Sequence, residues 1–231
     1  DTAPPLDAKL EAQILEVIRK HPEVILQSVE DYQTRERAKQ EEAQKAAVKK
    51  VTADPKQAIG TSPTIGKGKV LLLEFSDFQC PYCAAVRENL KQFAQKYPND
   101  VTLVYKHFPL TRIHDQALPA AMAAWAAGQQ GKFWEFHDAL FGNQKTLSDA
   151  FYQETAKGLN LNIAKFNADR KGAEATRAIA ADVAMAESLS IDGTPTFCDG
   201  WGVVFGAGAV GGVGEAAVEG EGGEINGVRG G

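Results

Sequence analysis

The sequence lacks an excess of basic residues and has no long apolar run. Its 231 residues include 25 Lys and Arg against 30 Asp and Glu, a net charge of -5. This charge does not suit the binding of a nucleic-acid backbone, so we expect no nucleic-acid partner. The longest uncharged apolar stretch, Ala120 to Ala127, is far too short to cross a bilayer.

Cysteine is also scarce, because the chain contains only three cysteines. Three are too few for a disulfide scaffold, so their significance must come from their placement. Cys80 and Cys83 form a C-x-x-C motif, and Cys198 stands alone. The 44% of apolar and 24% of charged residues exclude wholesale disorder, and this length suffices for one core with a helical appendage.

The amino-terminal region is predicted to be helical. It opens on Asp-Thr-Ala-Pro-Pro, as expected if a signal peptide had been removed, although a shortened chain would look the same. Apolar residues at helical spacing indicate a first amphipathic helix, and Pro22 suits the first turn of a second. The second helix begins with an apolar segment, residues 24 to 32, and becomes highly charged from Arg35 to Lys50. Two interpretations stay open, a solvated helix and an oligomerisation arm.

A stretch rich in Gly, Ser and Pro around residues 60 to 68 predicts a linker, which divides the chain into an arm, 1–57, and a domain, 58–231. Within the domain, the patterns predict a strand, a helix, a second strand, a helical block and a further strand: Val70 to Phe75, Pro81 to Lys96, Val101 to Tyr105, 113 to 189, and the segment after Pro195. This order favours a small α/β sheet with a helical insertion.

The carboxyl-terminal segment is unusually rich in glycine. Thirteen of the 22 glycines fall in the last 32 residues. Since each glycine weakens a helix by roughly 1 kcal/mol relative to alanine, we expect a frayed or poorly packed end.

The C-x-x-C motif carries the clearest chemical signal. Cys80 lies between a predicted strand and a predicted helix, where the positive end of the helix dipole favours its thiolate. Cys80 is therefore the predicted nucleophile, and Cys83, one turn further, can expel a partner from a mixed disulfide. A zinc site is disfavoured because a second ligand pair is missing, and a structural disulfide is disfavoured because so tight a loop adds little stability.

A second motif, Gly193-Thr-Pro-Thr-Phe197, is weak alone but becomes strong beside Cys80-Pro-Tyr-Cys83. With these residues the chain resembles the thioredoxin-fold superfamily, and specifically DsbA-like periplasmic thiol-disulfide oxidoreductases. The resemblance runs from about Ile59 to Phe197, and it includes Lys-His-Phe-Pro-Leu at 106 to 110 and the aromatic segment at 131 to 141. The amino-terminal His-Pro-Glu-Val-Ile-Leu segment is similar to the leader region of ScsC-type proteins.

The resemblance implies a thioredoxin fold with an inserted α-helical domain and an N-terminal helical extension. It implies that Cys80 attacks, that Cys83 resolves, and that Glu74 is a buried acid able to relay the proton of Cys83. Pro81 and Tyr82 would adjust the electrostatics at Cys80 and belong to the substrate-binding residues. Thr194 and Pro195 would form a cis-proline loop that binds the substrate chain.

The function implied is the formation, reduction or isomerisation of disulfides in extracytoplasmic bacterial proteins, which fits a chemistry confined to oxidising compartments. The implied partners are cysteine-containing protein substrates, a membrane redox partner and further copies of the chain bound through the N-terminal helices, and no cofactor is expected. Two alternatives stay open, a copper-binding protein that uses the same thiolates and a dedicated reductant of one partner. Cys198 is read as a buried core residue, with a third thiol beside the pair as the alternative.

Overall fold

The computed structural model describes residues 7–199 and 202–205. By contacts the chain divides into two compact units, the first ending at Ala43 and the second beginning at Gln44. The predicted glycine-rich, poorly packed end lies outside the described residues.

The first unit contains helix α1, Ala8–Lys20, and most of helix α2, Pro22–Thr52. Asp7 caps α1 by accepting a hydrogen bond from the backbone N–H of Lys9, and Pro22 occupies the first turn of α2, where a missing N–H costs nothing. Every side chain of α1 is exposed, including those of its apolar stripe.

The second unit begins inside α2, earlier in the sequence than the linker suggests. Val48 of α2 is 1% exposed and packs with Ala58 of helix α3, Pro55–Ile59, and with residues of the sheet. The last turns of the charged helix are therefore part of this unit's core, because a few apolar side chains among the charges find apolar partners there. The division of the chain into 1–57 and 58–231 stays a prediction.

Within the described residues, five strands form one sheet in the order β1-β3-β2-β4-β5. The central strand β2 pairs in parallel with β3, and the other neighbours are antiparallel. The strands are β1, Thr64–Ile65; β2, Val70–Ser76; β3, Val101–His107; β4, Thr196–Cys198; and β5, Val203–Phe205. Gly68, two residues before β2, lies very close to Asp100, the residue before β3. A Cβ atom at position 68 would lie 1.8 Å from the Asp100 carbonyl carbon, so this approach requires glycine.

Helix α4, Pro81–Lys96, joins the two parallel strands, and its bounds are those predicted from the sequence. The helical insertion lies between β3 and β4 and consists of α5, Ala117–Gly128; α6, Phe133–Gly142; α7, Asp149–Gly158; α8, Ile163–Asp169; and α9, Ala173–Ser188. The predicted thioredoxin fold with a helical insertion is confirmed.

The residues of β2 alternate between two faces of the sheet, as the pleat requires. Leu71, Leu73 and Phe75 pack in one core cluster with Val48 of α2, whereas Leu72 packs in another with the buried face of α4. The alternation therefore places Glu74 and Ser76 on the face covered by α4.

Candidate active site

Cys80 and Cys83 lie at the start of α4, directly after the central strand. Cys80 is the N-cap residue of the helix and Pro81 follows at its first position. The Sγ atom of Cys80 lies 3.3 Å from the carbonyl oxygen of Thr194, and the Thr194–Pro195 peptide bond is cis. The fold thus brings two motifs that are more than a hundred residues apart in the sequence to one sulfur atom.

The two thiols differ in acidity because their surroundings differ. The pKa of Cys80 is lowered to about 5, chiefly by the hydrogen bond that the Cys83 thiol donates to its thiolate. Backbone N–H groups of Tyr82 and Cys83, in the first turn of α4, lower it further. Burial raises the pKa of Cys83 far above its ordinary range, so its thiol keeps its proton. This asymmetry suits Cys80 as the attacking group and Cys83 as the resolving group.

Glu74 lies on β2 beneath α4 and is 3% exposed. Desolvation by burial raises the pKa of its carboxyl to about 7, so both of its protonation states are accessible near neutral pH. The carboxyl also lines a cavity of about 220 Å³, together with Arg87 of α4 and His137 of α6. These properties are those required of a group that exchanges protons with its surroundings.

The remaining predicted site residues differ widely in exposure. The side chain of Tyr82 is 67% exposed beside Cys80, whereas Thr194 is 4% exposed and its hydroxyl finds no hydrogen-bond partner among the described residues. The structure therefore leaves Tyr82 open to solvent, and the backbone of Thr194, rather than its side chain, meets the Cys80 sulfur.

Two residues that the sequence reasoning did not single out hold the active-site turn. The buried carboxylate of Asp77 accepts hydrogen bonds from the backbone N–H groups of Gln79 and Leu110, at 2.8 and 2.9 Å, and pairs with His114 at 2.7 Å. The side-chain amide of Gln144 donates to the carbonyl oxygens of Phe78 and Cys80. Asp77 lies three residues before Cys80, next to the C-x-x-C motif. Gln144 lies in the helical insertion, and nothing in the sequence around it indicates a role at the active site.

Cys198 belongs to a different core cluster from the other two cysteines. It is fully buried on β4 with Leu73 and Phe75, and burial raises its pKa to about 12. Its surroundings favour the interpretation as an apolar core residue. Among residues 7–199 and 202–205, no group of three or more His, Cys, Asp or Glu side chains could hold a metal ion.

Comparison with known families identifies the architecture around this cysteine pair. The model of the DSBA-like thioredoxin domain matches residues 71–214, which include both cysteines and the Thr194–Pro195 bond. The chain belongs to this family. The predicted resemblance is therefore confirmed.

Solved structures similar to this family member include a thioredoxin-like oxidoreductase from Silicibacter pomeroyi, with 30% identity and a TM-score of 0.60. That match covers 73% of this chain and 94% of the other. A variant of Proteus mirabilis ScsC with a deletion in its linker has 21% identity and a TM-score of 0.63, and the match covers 94% of this chain and 97% of the other. At this identity, the second likeness shows the fold alone.

Among curated proteins, the chain is similar to part of a Na(+)/H(+) antiporter, NhaA 3 of Salinispora tropica. The two are 41% identical over 131 residues, which are 55% of this chain and 20% of the antiporter. The chain thus spans about a fifth of the length of the curated relatives it matches. In the part of the chain that the structure describes, no helix is long and apolar enough to cross a membrane.

Proposed function

We propose that this protein is a thiol-disulfide oxidoreductase that forms, reduces or isomerises disulfides in extracytoplasmic protein substrates through Cys80 and Cys83. The observation that carries the proposal is the opposite acidity of two adjacent thiols, a Cys80 pKa of about 5 beside a Cys83 that retains its proton. Membership of the DSBA-like family supports it.

The reaction follows from this arrangement. The Cys80 thiolate attacks one sulfur of a substrate disulfide, a mixed disulfide forms, and the other substrate sulfur leaves as a thiolate. Cys83 then loses its proton and attacks the Cys80 sulfur. The Cys80–Cys83 disulfide forms, and the first substrate sulfur leaves reduced. In the reverse direction, the oxidised pair donates its disulfide to the substrate.

We assign the surrounding residues positions in this reaction. The exposed ring of Tyr82 and the backbone of Thr194 and Pro195 would bind the substrate chain next to Cys80, since Tyr82 lies two residues from Cys80 and the Thr194 carbonyl borders its sulfur. Glu74 would accept the proton of Cys83, because its carboxyl titrates near neutral pH. A bacterial oxidising compartment, where a membrane redox partner resets the pair, suits this chemistry.

The redox equilibrium of Cys80 and Cys83 tests the function directly. Stabilising the Cys80 thiolate stabilises the reduced form, so we expect a reduction potential between about -120 and -200 mV, in the range of oxidants and isomerases. Graded glutathione buffers, with alkylation and intact mass, measure it while counting Cys198 separately. A potential near about -270 mV would favour the dedicated reductant. The absence of any reversible two-thiol step would overturn the proposal, and tight Cu(I) binding would then support the copper alternative.

We also propose that the arm, residues 1–57, joins copies of the chain into an oligomer. The apolar stripes of its two helices are exposed, with Val17 at 59% and Leu26 at 70%. Burial of such stripes against a second copy would stabilise the oligomer by about 25 cal/mol for each Å² of apolar surface that is removed from water. Several active sites would then surround one substrate, which favours isomerisation.

The oligomer prediction is tested by the molar mass in solution, measured by light scattering. We expect the combined change Val17→Glu and Leu26→Glu to reduce an oligomer to monomers, because buried charges are costly. Leu118→Glu, at an exposed leucine of α5, is the matched control and should leave the mass unchanged. A wild-type protein that is monomeric at micromolar concentration would contradict the prediction.

A further inference from the structure

Beneath the active site, a buried serine shares a face of the sheet with the buried acid, under the helix that carries the resolving cysteine. Glu74 and Ser76 are two residues apart on β2 and therefore point to the same face of the sheet, which α4 covers. Cys83 is on the buried side of α4, and Tyr105 pairs with Glu74 across the two parallel strands. All four residues are at most 3% exposed.

The Ser76 hydroxyl is close to each of the other three groups. Its presence lowers the pKa of the Glu74 carboxyl, of the Cys83 thiol and of the Tyr105 phenol. Neither its oxygen nor the Tyr105 hydroxyl has a hydrogen-bond partner among residues 7–199 and 202–205, although both are buried. A serine hydroxyl has one donor and two acceptor positions and rotates freely, so it can serve these neighbours in turn.

The buried Ser76 hydroxyl is unfavourable for folding, so its presence suggests a role in function. A buried hydroxyl without a fixed partner destabilises the fold, and most buried polar groups in proteins are paired. An alanine at position 76 would avoid this cost while filling nearly the same space. The hydroxyl influences both a thiol that must lose a proton and a carboxyl that can accept one, and this supplies a use.

We propose that Ser76 carries the proton between Cys83 and Glu74 during thiol-disulfide exchange, with the Tyr105 hydroxyl orienting it. This inference rests on the proposed function and deepens it. Ser76 is the relay between the two groups, and Tyr105 is a positioning residue.

The resolving direction begins with the mixed disulfide between Cys80 and the substrate. The Cys83 thiol gives its proton to the Ser76 oxygen while the Ser76 hydroxyl gives its own proton to the Glu74 carboxylate. The Cys83 thiolate attacks the Cys80 sulfur of the mixed disulfide, the new Cys80–Cys83 bond forms, and the bond to the substrate breaks. Cys83 is oxidised, Cys80 passes from one disulfide to another, and the substrate sulfur is reduced and leaves as a thiolate with the electron pair. In the reverse direction, the proton on Glu74 returns to Cys83.

The groups around the carboxyl set how its charge changes with pH. Burial in this environment raises the pKa of Glu74 to about 7, which leaves it partly ionised at neutral pH. The ionisable groups that face it from β3, α4 and α6 are Tyr105, Cys83, Arg87, Lys91, Glu135, His137 and Asp138.

The proposed proton transfer can be measured separately in the step in which Cys83 displaces glutathione from Cys80. Reduced protein is mixed rapidly with oxidised glutathione, quenched with acid and followed by intact mass. The concentration-dependent phase reports attack by Cys80, and the first-order phase reports closure by Cys83. We expect Ser76→Ala to slow closure by about 100-fold, since a positioned proton-transfer group is removed, and to leave the attack by Cys80 unchanged.

Two comparisons separate a relay from a general structural effect. Glu74→Gln should slow closure to a similar degree, and adding Ser76→Ala to it should cause no further loss, because both variants interrupt one path. Thr102→Val removes another buried hydroxyl of the sheet, one that donates to the Gly68 carbonyl at 2.7 Å, and should leave closure unchanged. Unchanged closure in Ser76→Ala, or a full additional loss in the double variant, would overturn the proposal.

A second measurement does not depend on exchange activity. Carbon-13 NMR of the Glu74 carboxyl in the reduced protein follows its titration, with a wild-type midpoint at about 7. Loss of the Ser76 hydroxyl should raise this midpoint, and Tyr105→Phe should change it less. An unchanged midpoint in Ser76→Ala overturns the relay. A wild-type protein that never closes the mixed disulfide would instead contradict the proposed function, and the titration would still decide whether Ser76 is coupled to Glu74.

Discussion

Replacing Cys80 by serine is expected to abolish disulfide exchange, whereas replacing Cys83 by serine should trap mixed disulfides. The first change removes the thiolate that attacks, and a serine hydroxyl at this position cannot replace it. The second leaves attack possible but removes the thiol that releases the substrate. Exchange is measured with a reduced and scrambled protein substrate, and trapped adducts are identified by non-reducing electrophoresis and intact mass.

The pH dependence of the attack provides a further check on the same cysteine. Because the pKa of Cys80 is lowered to about 5, its alkylation by iodoacetamide should stay fast at neutral pH and fall only as the pH drops through about 5. Cys83 should react slowly throughout, since burial raises its pKa. In Cys83→Ala the midpoint for Cys80 should move upward, because the thiol that donates the principal hydrogen bond is gone.

Cys198→Ala is the matched control for both variants. This cysteine is fully buried in another core cluster, so its loss should leave the exchange rate and the trapping unchanged. Full activity in Cys80→Ser would contradict the assignment of Cys80 as the nucleophile. Adduct formation that is lost in Cys198→Ala would show that Cys198, and not Cys80, forms the mixed disulfide.

Breaking the buried ion pair between Lys106 and Asp182 is expected to cause the largest loss of stability of any single change considered. Lys106 Nζ lies 3.0 Å from the Asp182 carboxylate and also donates to the Ser62 hydroxyl and the Ile59 carbonyl. Asp182 accepts a further hydrogen bond from the backbone N–H of His107. The pair therefore ties β3, helix α9 and the segment before β1 together.

Asp182→Ala should lower the free energy of unfolding by about 3–5 kcal/mol, because it leaves the Lys106 charge buried without a counter-charge. Chemical denaturation of the reduced protein, followed by circular dichroism, measures the change. The double replacement Lys106→Met and Asp182→Leu should cost less than the single one, since it removes both charges. The remaining loss would come from the unpaired N–H of His107.

An exposed ion pair provides the control for this prediction. Lys132 and Glu135 are 43% and 46% exposed, so Lys132→Ala should cost at most about 1 kcal/mol. A similarly small loss in Asp182→Ala would show that the buried charges find other partners, and would contradict the predicted role of the pair.

Much of the fold could be predicted because its local signals agree with its tertiary environment. The helix from Pro81 to Lys96 has the predicted bounds, since Pro81 suits the first turn and the apolar face of the helix meets the sheet. The strands β2 and β3 lie where the apolar runs predict, each slightly longer than expected, ending at Ser76 and His107. Their last residues are polar but buried, and a hydropathy pattern cannot detect such burial.

The extent of the second unit could not be predicted in this way. The charged second half of α2 gives no sign that Val48 is buried, because one valine among charges is also typical of a solvated helix. Its burial depends on Ala58 and on the sheet, which approach it only in the folded chain. Tertiary packing thus extended the unit amino-terminally to Gln44.

By itself, the sequence determined the chemical identity of the site, namely two cysteines one helical turn apart at the start of a helix, with an acid six residues earlier. Local spacing settles these features, because the helix dipole and the reach of one turn act over a few residues. Only the tertiary structure decided what surrounds the thiols. It brought Thr194 to Cys80, Gln144 to the active-site turn, and Tyr105 opposite Glu74. These contacts join residues far apart in the chain, and burial, which shifts the acidity of each group, is a property of the whole packed domain.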